Sequence, residues 1–296
     1  MRSSNHVPTI DSAVVFGVFA LIIGLSSCGK TPIPSVPSTP VDFAQALQYA
    51  QRANLAYEPD SIIGQQSGTS VRVSVSPPLS SGIKAYVEQD ETRKVQWIVV
   101  RGTSNLVNMR LDVDYNKVVE SRLQIPLHKG FADSALEVYQ FAKPLLKADY
   151  ETRISGHSLG GGAAVIVLML LKEDGFKLGP AMTFGQPKVT NRDGARKYQS
   201  LPLLRFINDK DPVPLLPPLE VFAVLDEGPY VHIGPEVVLE EGPNYHYYAA
   251  HQAQRLSVLS FWNNLKNVSI QDLPEHFMST YVRRVGQKIP PAPSSR

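Results

Sequence analysis

The sequence feature that most restricts how this 296-residue chain can fold is the run Gly156-His157-Ser158-Leu159-Gly160. Residues 150–155 before it can form a short strand, and residues 159–172 after it are rich in Ala, Val, Leu and Met without a proline, which is typical of a helix. In such a setting, small residues two places on either side of a serine let the backbone turn sharply and push the hydroxyl outward. The run therefore predicts a nucleophile elbow with Ser158 as the nucleophile. Without this setting, the five-residue pattern could be a glycine-rich turn that carries no chemistry.

The predicted helix after Ser158 is apolar on nearly every face from Ala164 to Leu171. Such a helix has to be buried between a sheet and a further layer. Its amino terminus would lie at Ser158, where unpaired N–H groups and partial positive charge favour negative charge developing on a substrate oxygen. The backbone N–H of Leu159 is therefore the first candidate donor of an oxyanion hole.

Residues 1–27 have the composition of a targeting segment. Arg2 precedes an apolar run from Ala13 to Leu25 that is short for a membrane span but typical of a signal-peptide core. Cys28, the only cysteine, follows Leu25-Ser26-Ser27, and this ending resembles the lipobox of bacterial lipoproteins, in which the cysteine is lipidated and becomes the first mature residue. An uncleaved anchor and an ordinary secretory signal are the alternatives. A single cysteine excludes an intramolecular disulfide.

Proline-rich segments flank a central domain. Residues 28–40 comprise Cys28 and a tether that would span roughly 35 Å at about 3.1 Å per residue, and residues 286–296 are predicted to be a disordered tail. Residues 41–285 between them suit a single α/β domain. The formal net charge of +2 and the absence of a basic run give no reason to expect a nucleic-acid partner.

Hydrophobic patterning predicts a helix and three strands at the start of this domain. Residues 41–57 have helical spacing, with one apolar face made of Phe43, Ala46, Leu47, Ala50 and Ala53. Strands are expected at residues 71–75, 83–88 and 95–100, and the last, which is the most apolar, is expected in the middle of a sheet. The strand at residues 95–100 is followed by Arg101-Gly102-Thr103-Ser104. In enzymes that have a nucleophile elbow, the second donor of the oxyanion hole comes from a strand end of this kind.

The chain after Ser158 contains candidates for a catalytic acid and a catalytic histidine. A serine needs a histidine to take its proton and a carboxylate to orient that histidine, and after an elbow the chain order is serine, acid, histidine. The loop after a predicted strand at residues 203–207 suits the acid and contains both Asp209 and Asp211, which composition does not separate. Other acids include Asp174, Asp193 and Asp226, and the histidines that follow are His232, His246, His251 and His276.

Five short motifs occur in order along the chain: Val99-Val100-Arg101-Gly102-Thr103, His128-Lys129-Gly130-Phe131, the run around Ser158, Phe184-Gly185-Gln186-Pro187 and Asn208-Asp209-Lys210-Asp211-Pro212-Val213-Pro214. The series resembles the fungal-type (class 3) lipases, a branch of the α/β-hydrolase superfamily that includes triacylglycerol lipases and feruloyl esterases. The resemblance covers most of residues 41–285. It implies the α/β-hydrolase fold, in which helices flank a mostly parallel central sheet.

The resemblance also implies roles for single residues. The family's Asp-x-Val-Pro element falls on Asp211, which is therefore the expected acid, with Asp209 as the alternative. In many class 3 lipases the catalytic histidine is followed by Met or a similar residue and then by Tyr. His276 stands in that setting, where it is expected to open a short helix, and His251 is the second candidate.

Thr103, the residue after the Arg-Gly pair, is by the same resemblance the second oxyanion donor, through its backbone N–H and its hydroxyl. His128 and His157 match family motifs but not the triad, and His232 is interpreted as a structural histidine in a half-buried strand. No His-Glu-x-x-His spacing and no cysteine pair indicates a metal. Neither a metal nor another cofactor is therefore expected.

Residues 105–117, in the position of the family's lid, differ from the best-known members. Fungal lipases tend to carry a short amphipathic helix with a Trp there, which opens at a lipid surface, whereas this segment has no Trp. From Met109 onward apolar and polar residues alternate, which favours an extended segment closer to the polar loop of feruloyl esterases. We therefore expect a weakly gated site that accepts soluble or short-chain esters.

Together with the predicted leader, these features predict a membrane-tethered serine ester hydrolase, a lipase or carboxylesterase that acts on lipid or small ester substrates. Phospholipase A1 and feruloyl-type esterase are the enzymatic alternatives, and a catalytically silent surface lipoprotein is the non-enzymatic one. Gly29, which follows Cys28, is not the aspartate associated with inner-membrane retention. An outer-membrane or surface location in a bacterial envelope is therefore expected.

Overall fold

Residues 41–102, 116–217, 228–250 and 273–291 of the protein are described by a computed structural model. The helices of these residues are α1 (Phe43–Leu55), α2 (Asp60–Gly64), α3 (Lys129–Ala142), α4 (Leu159–Glu173), α5 (Arg192–Lys197), α6 (Leu273–His276) and α7 (Met278–Gly286). The strands are β1 (Val71–Val75), β2 (Lys84–Asp90), β3 (Val95–Arg101), β4 (Lys117–Glu120), β5 (Ile125–His128), β6 (Glu151–His157), β7 (Leu178–Phe184), β8 (Leu203–Asn208), β9 (Glu236–Leu239) and β10 (Tyr245–Tyr248). Short 3₁₀ turns lie at Lys143–Leu145 and Val213–Leu215.

A mostly parallel sheet forms the centre of the domain, with the strand order β1-β2-β3-β6-β7-β8-β9-β10. Strands β3, β6, β7, β8 and β9 run parallel, and β1, β2 and β10 add antiparallel pairings toward the edges. A separate hairpin joins β4 and β5. The expected sheet is thus confirmed. Because β6 and β8 are parallel, the loops that follow them leave from the same edge, which is where open α/β sheets place their sites.

Helices cover both faces of this sheet. On one face α3 and α4 pack over a core that includes Ile98, Ile154 and Leu168, and every residue of α4 from Gly160 to Leu171 is buried, as predicted. On the other face α1 and α7 pack over a second core with aromatic residues of β3, β7 and β8. A buried Leu or Ile side chain stabilises the fold by about 1.5–3 kcal/mol, so α4 is held chiefly by its burial.

Helix α1 buries a slightly different face from the predicted one. Four of the five expected residues are buried, and Leu47 is only half-buried. Tyr49 is buried in its place, because its ring packs edge-on against Trp97 at a centroid distance of 4.5 Å and its hydroxyl donates to the Pro180 carbonyl at 2.8 Å.

Two predictions for the C-terminal region are wrong. His276 is the last residue of α6 and does not open a helix, because the backbone is extended at Phe277, the N-cap of α7. Gly286 is the last residue of α7 and does not begin a disordered tail. Lys288 beyond it is buried, and its Nζ donates to the Glu240 carbonyl at 2.6 Å.

Several sequence predictions concern residues outside the described ones. These are the leader with Cys28, the tether, Thr103, all but the last two residues of the lid segment, Asp226, His251 and residues 292–296 of the predicted tail. Each helix that is described is too short or too polar to cross a bilayer.

Candidate active site

Ser158 stands at the turn between β6 and α4, as its motif predicts. Its backbone angles are φ 59° and ψ −135°, a strained conformation that costs about 1–3 kcal/mol and persists only where the surroundings hold it. Ser158 N–H donates to the Phe184 carbonyl at 3.0 Å, and the Ser158 carbonyl accepts from the N–H groups of Gly161 and Gly162 at 2.8 and 3.2 Å. These bonds tie the turn to β7 and to the first turn of α4.

The glycines of the motif allow the start of α4 to cross the ends of two strands. A Cβ on Gly160 would lie 2.5 Å from the Val100 carbonyl oxygen, and one on Gly156 would lie 2.7 Å from the Gly160 carbonyl oxygen. Backbone atoms cannot yield to such contacts easily. Only glycine therefore permits this crossing, and the crossing presents Ser158 at the sheet edge.

The end of β3 lies directly against the elbow. A Cβ on Gly102 would be 2.8 Å from the Ser158 Cβ and 3.2 Å from the Leu159 backbone nitrogen. Leu159 opens α4, and the leading N–H groups of a helix have no partner within it. The residue after Gly102 is Thr103, the expected second oxyanion donor, which lies outside the described residues.

Asp211 and His276 form a buried hydrogen-bonded pair. His276 Nδ1 lies 2.7 Å from Asp211 Oδ2, and both side chains are fully buried. The same carboxylate oxygen accepts a hydrogen bond from the Tyr281 hydroxyl at 2.5 Å, and Oδ1 accepts one from Val213 N–H at 2.9 Å. Burial by itself would raise the pKa of Asp211, but His276 and these donors outweigh it and hold that pKa below its ordinary value. Asp211 is therefore an ionised acceptor at neutral pH.

Backbone contacts fix the position of His276. Its carbonyl accepts a hydrogen bond from His157 Nε2 at 2.8 Å, and the carbonyl of Glu275 accepts one from Asn208 Nδ2 at 2.6 Å. Since Nδ1 is engaged by Asp211, the nitrogen that remains is Nε2, which is buried and has no hydrogen-bond partner among the described residues. This nitrogen is suited to accept a proton from a nucleophile.

His157 links the elbow to the end of α6, where His276 lies. Because its Nε2–H donates to the His276 carbonyl, its Nδ1 is unprotonated and accepts a hydrogen bond from the Tyr57 hydroxyl at 2.6 Å. Burial, and to a smaller degree the adjacent His276, lowers the pKa of His157 to about 3. His157 is thus a neutral support for the loop, and its ring lies 4.7 Å from that of His276.

Asp209, the alternative acid, is engaged with a different partner. Arg284 Nη1 lies 2.6 Å from Asp209 Oδ1 and also donates to the Leu239 carbonyl at 2.7 Å. The structure therefore places Asp211, and not Asp209, against His276.

The other described histidines lie outside this arrangement. His232 is fully buried and belongs to no regular strand, unlike the half-buried strand residue that was expected; its Nε2 lies 2.8 Å from the Pro214 carbonyl. His246 lies exposed on β10, 2.8 Å from Glu240. His128 is the N-cap residue of α3. In the described parts of the chain, no three His, Cys, Asp or Glu side chains are grouped in a way that would hold a metal ion.

The site thus combines a strained serine at the start of a helix with a histidine that has an ionised partner and contacts His157, the residue before the serine. That combination suits nucleophilic acyl transfer with a stabilised oxyanion. Sequence reasoning missed Tyr57, Tyr281, Asn208 and Arg284. The available signal was weak, because Arg284 lies beyond the helix predicted from the sequence. A spacing of three residues from Tyr281 would place both on one face only if the helix continued, and nothing local tells which loops that face meets.

A family model described as Lipase (class 3) matches residues 97–221. Secreted mono- and diacylglycerol lipase 1 of Fusarium solani is 33% identical over 172 residues, which cover 55% of this chain and 49% of that protein. The chloroplastic phospholipase A1 PLIP2 of Arabidopsis thaliana is 24% identical over 152 residues, which cover 46% of this chain and 21% of that protein. The chain thus spans about half or less of the length of these curated relatives.

The crystal structure of the Lip2 lipase from Yarrowia lipolytica is similar to this structure, with a TM-score of 0.62 and 22% sequence identity. The match covers 79% of this chain and 93% of that one. At this identity the likeness concerns the fold, and it confirms the α/β-hydrolase arrangement.

Replacing Asp211 with Asn should lower kcat by about 10⁴-fold in a folded protein, because an amide neither stabilises an imidazolium nor holds the required tautomer of His276. The matched variant Asp209→Asn removes one ion pair to Arg284 and should lower kcat by about tenfold at most. Hydrolysis of a short-chain chromogenic ester, with circular dichroism as a check of folding, measures both. A larger loss in the Asp209 variant would reassign the acid.

The free energy of unfolding should fall as the pH is lowered below about 6.5. Burial is the main cause that lowers the pKa of His157 to about 3 and the pKa of His232 well below its ordinary value. The unfolded chain therefore binds protons near pH 6.5 that the folded chain does not bind, and each histidine costs about 1.4 kcal/mol per pH unit below that point. Urea unfolding from pH 7 down to pH 5 measures this slope. His232→Gln, which retains an amide donor for Pro214, should roughly halve it, and an unchanged slope would mean that His232 is protonated in the folded protein.

Proposed function

Because the chain belongs to the class 3 lipase family of the α/β-hydrolase superfamily, we propose that it is a serine ester hydrolase that uses Ser158, His276 and Asp211. The observation that carries the proposal is the buried hydrogen bond between Asp211 and His276, which is joined to the strained turn at Ser158 by the hydrogen bond of His157 to the His276 carbonyl. The order of the three residues along the chain is that of α/β-hydrolases.

In the proposed reaction, Ser158 Oγ attacks the ester carbonyl while His276 Nε2 takes the hydroxyl proton. Asp211 stays ionised and stabilises the imidazolium through Nδ1. The imidazolium then gives its proton to the leaving alcohol, and an acyl group remains on the serine. Water that is deprotonated by the same histidine attacks this acyl-enzyme, which releases the carboxylic acid and restores the free serine.

The negative charge on the carbonyl oxygen in this reaction needs donors that are in place beforehand. We assign the Leu159 N–H as one donor and the Thr103 N–H and hydroxyl as the other. The close approach of Gly102 to Ser158 and to the Leu159 nitrogen supports this assignment. Loss of one such donor typically lowers kcat by about 10²–10³-fold.

The proposed substrates are acyl esters of lipids or of small alcohols. With such substrates, the proposed enzyme is a lipase or carboxylesterase of lipid metabolism. The name of the Fusarium solani relative refers to mono- and diacylglycerols and that of the Arabidopsis thaliana relative to phospholipase A1 activity. The absence of Trp from residues 105–117 and their alternating pattern favour a weakly gated site for soluble or short-chain esters. Phospholipase A1 and feruloyl-type esterase are the second candidates.

Ser158→Ala should lower the hydrolysis of a chromogenic ester series, from acetyl to palmitoyl, by about a thousandfold or more, because the nucleophile is lost. Ser155→Ala is the matched control, in the strand β6 that leads to Ser158. Its hydroxyl is buried and donates to the Tyr49 carbonyl at 3.0 Å, so its removal should cost about 1 kcal/mol of stability and leave hydrolysis near that of the wild type.

The series also discriminates between the candidate activities. A preference for short chains would support a carboxylesterase, and a preference for long chains a lipase or phospholipase. Equal rates for the wild type and Ser158→Ala at every chain length would reject the assignment of Ser158. No labelling of the wild type by a fluorophosphonate probe would favour a surface lipoprotein without catalysis.

We further propose that the enzyme is lipidated on Cys28 and held at the outer membrane or surface of a bacterial envelope. The apolar run that ends at Leu25, the small residues before Cys28 and the absence of an aspartate at Gly29 support this location. The tether of residues 29–40 would hold the domain roughly 35 Å from its anchor.

Cys28→Ala should abolish incorporation of labelled palmitate, because Cys28 is the only cysteine and no thiol would remain to carry an acyl chain. In the wild type, the mature protein should begin at Cys28, and mass spectrometry of its first peptide should show a mass increase of acyl chains, which contribute about 0.8 kcal/mol of membrane affinity per buried CH₂. A wild type that incorporates no palmitate and keeps residues 1–27 would instead indicate an uncleaved apolar anchor.

A further inference from the structure

Helix α7 carries a buried guanidinium that contacts both loops of the acid–histidine pair. Arg284 Nη1 lies 2.6 Å from Asp209 Oδ1, and Nη2 lies 2.6 Å from Glu275 Oε2. We propose that Arg284 is a positioning residue. It holds the segment after β8 that carries Asp211 (the Asp211 loop) and the end of α6 that carries His276 (the His276 loop) at the separation that the hydrogen bond between the two side chains requires. This inference rests on the proposed function, since it deepens the role of the same site.

The placement of the two carboxylates along the chain is the first argument. Asp209 precedes Asp211 by two residues, and Glu275 comes directly before His276. One planar guanidinium can engage two carboxylates in fixed directions, which a lysine ammonium does less well. A shift of either loop would therefore lengthen an ion pair to Arg284 as well as the catalytic hydrogen bond.

A third contact anchors this arrangement to the sheet. Arg284 Nη1 donates to the Leu239 carbonyl at 2.7 Å, and the same carbonyl accepts from Asp209 N–H at 3.1 Å. Leu239 ends β9, which pairs with β8, the strand that leads to Asp211. The guanidinium thus joins the end of the sheet to both loops.

The burial of Arg284 makes its ion pairs with Asp209 and Glu275 depend on one another. The Arg284 side chain is 4% exposed, while those of Asp209 and Glu275 are 34% and 24% exposed. Nε of Arg284 also lies 3.7 Å from Glu241 Oε2. Removal of this buried cation would leave the carboxylates around it without compensation, and their repulsion would displace the loops. None of these contacts involves Asp211 or His276 directly, so Arg284 would act through position.

The spacing of Tyr281 and Arg284 in α7 supports a role for Arg284 in the site. Tyr281 lies three residues before Arg284, on the same face of the helix, and its hydroxyl donates to Asp211 Oδ2 and accepts from Asn208 N–H. One face of α7 therefore contacts the acid directly and also binds the neighbours of the acid and of the histidine.

The test compares Arg284→Met and Arg284→Lys with Arg283→Met in the full chain. Arg283 is the matched control, because it precedes Arg284 in the same helix, carries the same charge and pairs with Glu241 at the exposed surface. With a soluble short-chain ester, Arg284→Met should lower kcat by about ten- to a hundredfold and leave KM within about twofold, since a displacement of about 1 Å at a reacting group costs rate more than binding. Arg284→Lys should recover part of this loss, and Arg283→Met should match the wild type.

A second readout does not depend on ester hydrolysis. The His276 Nδ1 proton that is shared with Asp211 should give a low-field NMR resonance in the wild type and in Arg283→Met. In Arg284→Met it should broaden or disappear. If the wild type has no activity that depends on Ser158, the proposed function fails, while this resonance still tests the positioning.

A lower melting temperature with an unchanged kcat and an intact resonance in folded Arg284→Met would overturn the proposal and leave a purely structural ion pair. If that variant does not fold, Asp209→Asn and Glu275→Gln remove one ion pair each while the guanidinium stays. Each should then lower kcat severalfold, with a further loss in the double variant. Wild-type kcat in all three would equally overturn the proposal.

Discussion

The buried hydrogen bond between Asp211 and His276 is the interaction on which the rest of the site depends. A carboxylate that loses its water must have protein donors in place, or it would be neutral and could not stabilise a cation. His276, the Tyr281 hydroxyl and Val213 N–H are those donors, and they come from α6, α7 and a 3₁₀ turn. The pair is therefore complete only when these separate elements are docked against the carboxyl edge of the sheet.

The nucleophile elbow at Ser158 also depends on helices that pack against the sheet, but on both of its faces. Helix α4 belongs to the layer on one face of the sheet and α7 to the layer on the opposite face. The strained Ser158 is held by β7 and the first turn of α4, while His157 reaches across to Tyr57 and to the His276 carbonyl. The two layers meet at this edge, and their packing energy is what maintains a backbone conformation that is unfavourable by itself.

Neighbouring titratable groups have different charge states, and each state has a local cause. His157 is neutral because it is buried and its two nitrogens are already engaged, whereas Asp211 is ionised because its donors outweigh its burial. The two imidazoles lie 4.7 Å apart, yet only that of His276 keeps a nitrogen without a partner among the described residues. Environment thus separates a supporting histidine from one that can carry a proton, as it separates acid from base in other active sites.

Local sequence determined the strand–turn–helix around Ser158, the three N-terminal strands and the burial of α4, because glycine geometry and apolar runs act over a few residues. Ordered motifs pointed to Asp211 and His276, but composition alone did not separate Asp211 from Asp209. Tertiary structure places Asp211 against His276 and pairs Asp209 with Arg284, which lies 75 residues away. It also decided the ending of α6 at His276 and the partnership of Tyr57 with His157 across 100 residues. Such contacts arise from how the layers pack, and no local pattern specifies which side chains will meet.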